Sequence, residues 1–127
     1  MATGAFGINS QFRNQLLQTE GLASEMGTGT ASSGAVTVND YICRITSEDL
    51  TTAQNAIYTL TVTNSKIAAN DLVKVVVGNG TNSAGSPMLG TVTPAAGSVV
   101  ITVHNKHASA VAFNGNLKIM FQVIKAL

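Results

Sequence analysis

Charged residues are scarce in this chain. Seven Lys/Arg and six Asp/Glu make up 10% of 127 residues, with a formal net charge of +1, whereas an ordinary soluble domain carries about 25% charged residues. The seven cations form no cluster, and proteins that bind nucleic acid through its phosphates depend on cations that displace counterions. We therefore expect no nucleic-acid partner.

Long apolar runs and paired cysteines are absent too. Apolar runs such as residues 75–77 and 99–101 are far shorter than the roughly 20 residues that span a bilayer, so we expect no integral membrane protein. The first residues lack the basic and apolar regions of a secretory signal. A single cysteine, Cys43, excludes an intramolecular disulfide. These features favour synthesis in a reducing cytoplasm.

Uncharged polar residues take the place of the missing charges. The chain contains fifteen Thr, ten Ser, eleven Asn and twelve Gly, and 45% of it is apolar. This composition is typical of an all-β protein with a hydrogen-bonding but uncharged surface and many turns. The length favours a single domain.

The chain divides near residue 35. Residues 1–34, the N-terminal arm, hold six of the twelve glycines and end in a Gly/Ser/Thr tract, residues 27–34, that is typical of a flexible linker. Ser10 is placed to cap a short helix over residues 11–19, which would be marginal without a packing partner. We therefore interpret the apolar side chains of the arm as anchors for a partner surface: Phe6, Ile8, Phe12, Leu16 and Leu17.

From Ala35 onward, apolar residues recur with a period of two, which predicts strands. The clearest case is residues 58–63, where Tyr58, Leu60 and Val62 alternate with threonines. A kink is expected at Asn39-Asp40, and Pro94 is expected to close a strand. The remaining predicted strands cover residues 36–38, 41–45, 72–77, 88–93, 98–104 and 117–124.

A tight turn is predicted at Asn114-Gly115, the dipeptide that suits the positive φ angles of a type I′ hairpin. Seven or eight short strands with frequent turn signals, and no helical pattern beyond the arm, indicate an antiparallel β-sandwich or jelly-roll-like single domain over residues 35–127. The N-terminal arm extends from it.

Candidate catalytic and metal-binding groups are few. His104 and His107 have metal-ligand spacing but no evident third ligand, and Cys43 has the parity of a small core residue rather than of a nucleophile. Glu48 and Asp49 would point to opposite sides of an extended chain, which favours a solvated turn over an acid/base pair. We expect no enzyme activity, cofactor or metal.

Residues 78–87 form a Gly/Ser/Asn-rich segment that superficially resembles a phosphate-binding loop. The Lys-Ser/Thr and helix start that such a loop needs do not follow. We interpret the segment as an exposed tip or a subunit contact. Because the chain has few charges, its strand faces and edges would not repel those of another copy, which favours homo-oligomerisation.

Part of the chain resembles a known class of proteins. The resemblance covers residues 35–127 and is carried by four runs: TSEDLTTA at 46–53, YTLTVTNS at 58–65, VTPAAGSVVI at 92–101 and FNGNLKI at 113–119. They resemble small virion structural proteins of tailed phages and prophages, most closely the capsid decoration, or cement, proteins.

The resemblance implies a trimeric β-domain on the outside of the capsid. It also implies that the protein is made in the bacterial cytoplasm and bridges neighbouring major capsid protein subunits. An alternative is a tail-fibre or spike domain that recognises host glycans through residues 78–87. The absence of Trp and the presence of only two Tyr disfavour it, because sugar sites commonly use aromatic platforms.

Overall fold

A computed structural model describes residues 26–127, which contain eight strands and no helix. The strands are β1 (Gly27–Thr30), β2 (Ala35–Thr37), β3 (Ile42–Thr46), β4 (Ile57–Thr63), β5 (Leu72–Asn79), β6 (Pro87–Ala95), β7 (Ser98–Asn105) and β8 (Leu117–Ile124). The predicted helix over residues 11–19 lies outside the described residues.

The strands form two sheets of four that pack face to face. Sheet I has the order β1-β3-β8-β5, and sheet II has the order β2-β4-β7-β6. The predicted all-β sandwich is confirmed. Only β6 and β7 are consecutive strands of one sheet, so each of the other six connections crosses from one sheet to the other.

The expectation of purely antiparallel sheets was wrong at two edges. β1 pairs with β3 in parallel, and β2 pairs with β4 in parallel, whereas the other pairs are antiparallel. The cause is the alternation between sheets: the chain leaves sheet I after β1, forms β2 in sheet II, and returns to β3 in its original direction. A parallel pair needs such a crossover.

The core follows the predicted period of two. In β4, β7 and β8 every second residue is buried. The residues between them are exposed or partly exposed. The fully buried apolar side chains come from both sheets, which makes one continuous core: Cys43, Ile45, Leu60, Val62, Val99, Ile101, Val103, Leu117 and Ile119.

The Gly/Ser/Thr tract predicted to be a linker is in part a strand. Gly27 and Gly29 lie in β1, and a Cβ at Gly29 would approach Val38 Cγ2 to 2.7 Å and Val36 Cγ2 to 2.8 Å. The glycines therefore permit close packing rather than flexibility. The chain then reverses through Ser33 and Gly34, which have positive φ angles of 51° and 74°.

The predicted hairpin at Asn114-Gly115 was also wrong. Residues 106–116 cross from β7 in sheet II to β8 in sheet I, and Gly115 is not among the glycines with positive φ. The hairpin lies instead between β6 and β7, where Gly97 has a φ of 79°. Pro94 does not end its strand. β6 is an edge strand, and an edge strand tolerates a proline because it has a neighbour on one side only.

Candidate partner-binding site

The side chains predicted to bind a partner lie outside the described residues. They are Phe6, Ile8, Phe12, Leu16 and Leu17. Within residues 26–127, the surfaces available to a partner are the outward faces of the two sheets and their edges. The two faces differ sharply in charge.

The outward side of sheet I combines cations with exposed apolar side chains; we call it the cationic face. Arg44, Lys74 and Lys118 lie on it, one from each of β3, β5 and β8. Four apolar side chains lie among them at 39–64% exposure: Leu72, Val76, Met120 and Ile124. Pairing of the strands places Leu72 beside Ile124 and Val76 beside Met120, with the Lys74–Gln122 pair between these two apolar pairs; we call the four apolar side chains the apolar patch.

The outward side of sheet II is almost free of charge; we call it the threonine face. None of the four strands that the structure assigns to this sheet contains Asp, Glu, Lys or Arg. Neighbouring strands place Thr59 opposite Thr102 and Thr61 opposite Val100. The hydroxyls of Thr91 and Thr102 lie 3.0 Å apart. Such a face can meet another copy of itself without bringing like charges together.

Glu48 is not the solvated turn residue that the sequence predicts. Its carboxylate accepts hydrogen bonds from the Tyr58 hydroxyl at 2.7 Å and from the Gly34 N–H at 2.6 Å. Partial burial would raise the pKa of Glu48, but these bonds and one from its own N–H outweigh burial, and the pKa is lowered. Burial, assisted by the bond to Glu48 and its charge, raises the pKa of Tyr58. Asp49 is exposed.

The segment over residues 78–87, which includes the loop between β5 and β6, is surface-exposed for much of its length. Hydrogen bonds connect it to the crossover before β8. The Asn114 N–H donates to Asn82 Oδ1 at 2.8 Å, and the Ser83 N–H donates to Asn114 Oδ1 at 2.8 Å. Thr81 and Asn116 exchange bonds of 2.9 and 3.0 Å through their N–H groups. The loop therefore has a defined shape.

Two buried asparagines were missed by the sequence reasoning. Asn105 is fully buried; its amide donates to the carbonyls of Thr52 and Val111, and its oxygen accepts from the N–H groups of Ser86 and His107. Asn64, also fully buried, bonds the Asp40 carbonyl at 2.7 Å. A signal was available, because each asparagine continues the inward parity of its strand by one step.

The remaining candidate groups are dispersed. Cys43 is buried, as predicted, and burial, followed by the charge of Asp40, raises the pKa of its thiol to about 11. His104 lies in β7 opposite Met88, whereas the His107 ring accepts a bond from the Ser109 N–H at 3.0 Å. Within residues 26–127, no group of three or more His, Cys, Asp or Glu side chains is placed to hold a metal ion.

Comparison with known proteins found no match: no family model, curated protein or solved structure corresponds to this chain. Among residues 26–127, no helix has the length and apolar character needed to cross a membrane.

Proposed function

We propose that this protein is a phage capsid decoration protein. It acts as an oligomer, a trimer by the resemblance of its sequence, on the outer surface of the capsid. There it stabilises the shell by bridging major capsid protein subunits. The protein does this through binding alone.

The observation that carries the proposal is the threonine face. A whole sheet without an ionisable Asp, Glu, Lys or Arg, on a domain of this size, is suited to contact with copies of itself. Such contact leaves no buried charge unpaired and therefore avoids the large cost of desolvating ions. Ile57 and Met88, each more than half exposed, add apolar area to this side of the domain.

The part of each N-terminal arm that precedes β1 would supply the attachment to the capsid. Burial of each Phe or Leu side chain contributes about 1.5–3 kcal/mol before ordering costs. Three arms held together in one oligomer bind with avidity, because the second and third arms attach at high effective concentration. Contacts that cross subunit boundaries would then resist pressure from the packaged DNA.

The attachment is tested with full-length protein and expanded capsids. The triple variant Phe12→Ser, Leu16→Ser, Leu17→Ser should lose most co-sedimentation with capsids. A control in the same segment, Gln11→Ala, Asn14→Ala, Gln15→Ala, keeps the apolar anchors and should bind normally. Capsid binding by the triple Ser variant at the wild-type level would refute the role of the arm.

The oligomer contact is tested separately by mass photometry. Thr61→Lys puts a cation at the centre of the threonine face and should convert the trimer to a monomer. Gln122→Lys, on the opposite face of the domain, should leave the trimer intact. A wild-type monomer at micromolar concentration would contradict the proposal.

Binding to host glycans through residues 78–87 stays a prediction of the sequence. It is distinguished by exchanging the exposed Ser83 for a bulky residue. If the protein is a receptor-binding domain, Ser83→Trp should abolish its binding to cells. If it is a decoration protein, the same variant should bind capsids as wild type does.

A further inference from the structure

The cationic face is complementary to a partner surface that is both acidic and apolar. Its apolar patch, formed by Leu72, Val76, Met120 and Ile124, lies among Arg44, Lys74 and Lys118. No Asp or Glu occurs in any strand of sheet I. A partner that buries the patch would therefore be favoured by carboxylates at its border.

The described chain begins at the edge of this same sheet. Gly27, the first residue of β1, is level with Cys43 of β3, which is level with Phe121 of β8 and Val75 of β5. Because β1 runs parallel to β3, the chain enters from the end of the sheet where Leu72 pairs with Ile124. Three strand spacings, about 14 Å, separate β1 from β5.

Residues 1–25, which we call the leading segment, contain one cation, Arg13, followed by a stretch of complementary composition. Residues 14–25 read NQLLQTEGLASE and contain three leucines, two glutamates and no cation. Glu20 and Glu25 are two of only six acidic residues in the chain. The segment also carries Phe6, Ile8 and Phe12. Twenty-five residues can extend about 80 Å, so the whole cationic face lies within reach.

We propose that the leading segment docks on the cationic face of its own chain in the free protein. Its leucines cover the apolar patch, and Glu20 and Glu25 lie near Lys74 and its neighbouring cations. The short tether from β1 gives the segment a high effective concentration at its own face, which favours it over the same segment of another copy.

This inference does not depend on the proposed capsid function, because it concerns the isolated protein. If both hold, attachment to a capsid exchanges one apolar surface for another: the anchors leave their own sheet when they bind the shell. Docking would thus prevent the apolar anchors from binding non-specifically to other proteins before the protein binds a capsid.

Methionine oxidation tests the docking in full-length protein without a capsid. Met120 lies on the cationic face at 39% exposure, and Met88 lies on the other sheet at 56% exposure. Under dilute peroxide, oxidation of each methionine is followed by peptide mass spectrometry. If the segment covers Met120, its oxidation should speed up roughly tenfold in the Phe12→Ser, Leu16→Ser, Leu17→Ser variant, in proportion to the uncovered fraction. The Met88 rate should be the same in both proteins.

A charge variant checks the same contact independently. Glu20→Lys with Glu25→Lys should also speed Met120 oxidation, whereas raising the salt concentration should erase the difference between this variant and wild type. Lys74→Glu should act like the charge variant, and Lys106→Glu, which changes an exposed lysine outside the strands, should have no effect.

Two results would overturn the inference. The first is a Met120 oxidation rate that is the same in wild type and in the arm variants. The second is a protection of Met120 that disappears across a dilution series, because it would show that another copy, rather than the same chain, covers the face.

Discussion

The Tyr58 hydroxyl donates a 2.7 Å hydrogen bond to Glu48 Oε1 while the Gly34 N–H donates to Oε2 of the same carboxylate. Glu48 follows β3 of sheet I, Tyr58 lies in β4 of sheet II, and Gly34 belongs to the turn between β1 and β2. One carboxylate thus connects both sheets and fixes the reversal that precedes β2.

Replacing this carboxylate should destabilise the fold. In Glu48→Ala, both acceptor oxygens are removed, so the Gly34 N–H and the Tyr58 hydroxyl lose their partner. We expect a loss of about 1–3 kcal/mol in the free energy of unfolding, measured with urea. Asp49→Asn removes a neighbouring exposed carboxylate and should change stability by less than about 0.5 kcal/mol. Equal effects of the two changes would contradict the role of Glu48.

Asp71 should make stability depend on acid pH. Bonds from the Lys125 ammonium and then from the N–H groups of Ala126 and Ala68 lower the pKa of Asp71 to about 2. A carboxylate with a lowered pKa in the folded state stabilises the protein above its unfolded pKa, near 4, and this contribution is lost as the pH falls toward 2.

Acid titration of the unfolding free energy tests this expectation. Asp71→Asn should flatten the decline between about pH 4 and pH 2, although Glu48, whose pKa is also lowered, contributes part of the slope. Asp49→Asn should leave the slope as it is. An Asp71→Asn protein with the full wild-type slope would show that Asp71 is not a source of it.

Asn105 should be one of the most sensitive positions in the chain. Its amide satisfies four backbone groups from three segments around the end of β7. Asn105→Ala leaves those groups without their partner in a buried site, so we expect a loss of at least about 3 kcal/mol in urea unfolding. Asn70→Ala, at an exposed turn, is the matched control and should be near neutral. A cost below about 1 kcal/mol at Asn105 would exclude this role.

Two glycines of sheet I should respond differently to alanine. In Gly29→Ala the new methyl would lie too close to the branched side chains of Val36 and Val38, and we expect a loss of about 1–3 kcal/mol. A Cβ at Gly78 meets no atom within 4 Å, so Gly78→Ala should be neutral or slightly stabilising. Thermal unfolding of both variants compares them directly, and a neutral Gly29→Ala would show that β1 does not pack tightly against β2.

The sequence was sufficient for most strands because their burial alternates cleanly. The pattern of Tyr58, Leu60 and Val62 predicted β4, and similar alternation placed β7 and β8 within one residue of their ends. Strand β1 was not predicted, because Gly-Thr-Gly-Thr has no apolar alternation. Its packing depends on contacts with Val36 and Val38, which lie later in the chain. The hairpin error has the same origin, since local turn preference cannot show that β7 and β8 belong to different sheets.

The candidate site was less predictable than the fold. Exposed apolar residues such as Leu72 and Met120 have the same local pattern as core residues, and only the pairing of β5 with β8 shows that they share an outward patch. The role of Glu48 likewise depends on Tyr58 and Gly34, which are brought together by the sheet topology.

The position of β8 between β3 and β5 constrains how the molecule can fold. Cys43 pairs with Phe121, which lies 78 positions later in the chain. Closing so large a loop costs entropy before the pairing is gained, and domains with such distant pairings fold slowly. Before β8 pairs with β3 and β5, each of these strands has an unpaired edge. Such an edge can form hydrogen bonds with a strand of another molecule. We therefore expect refolding yields to fall steeply as protein concentration rises, even though the finished sandwich is well packed.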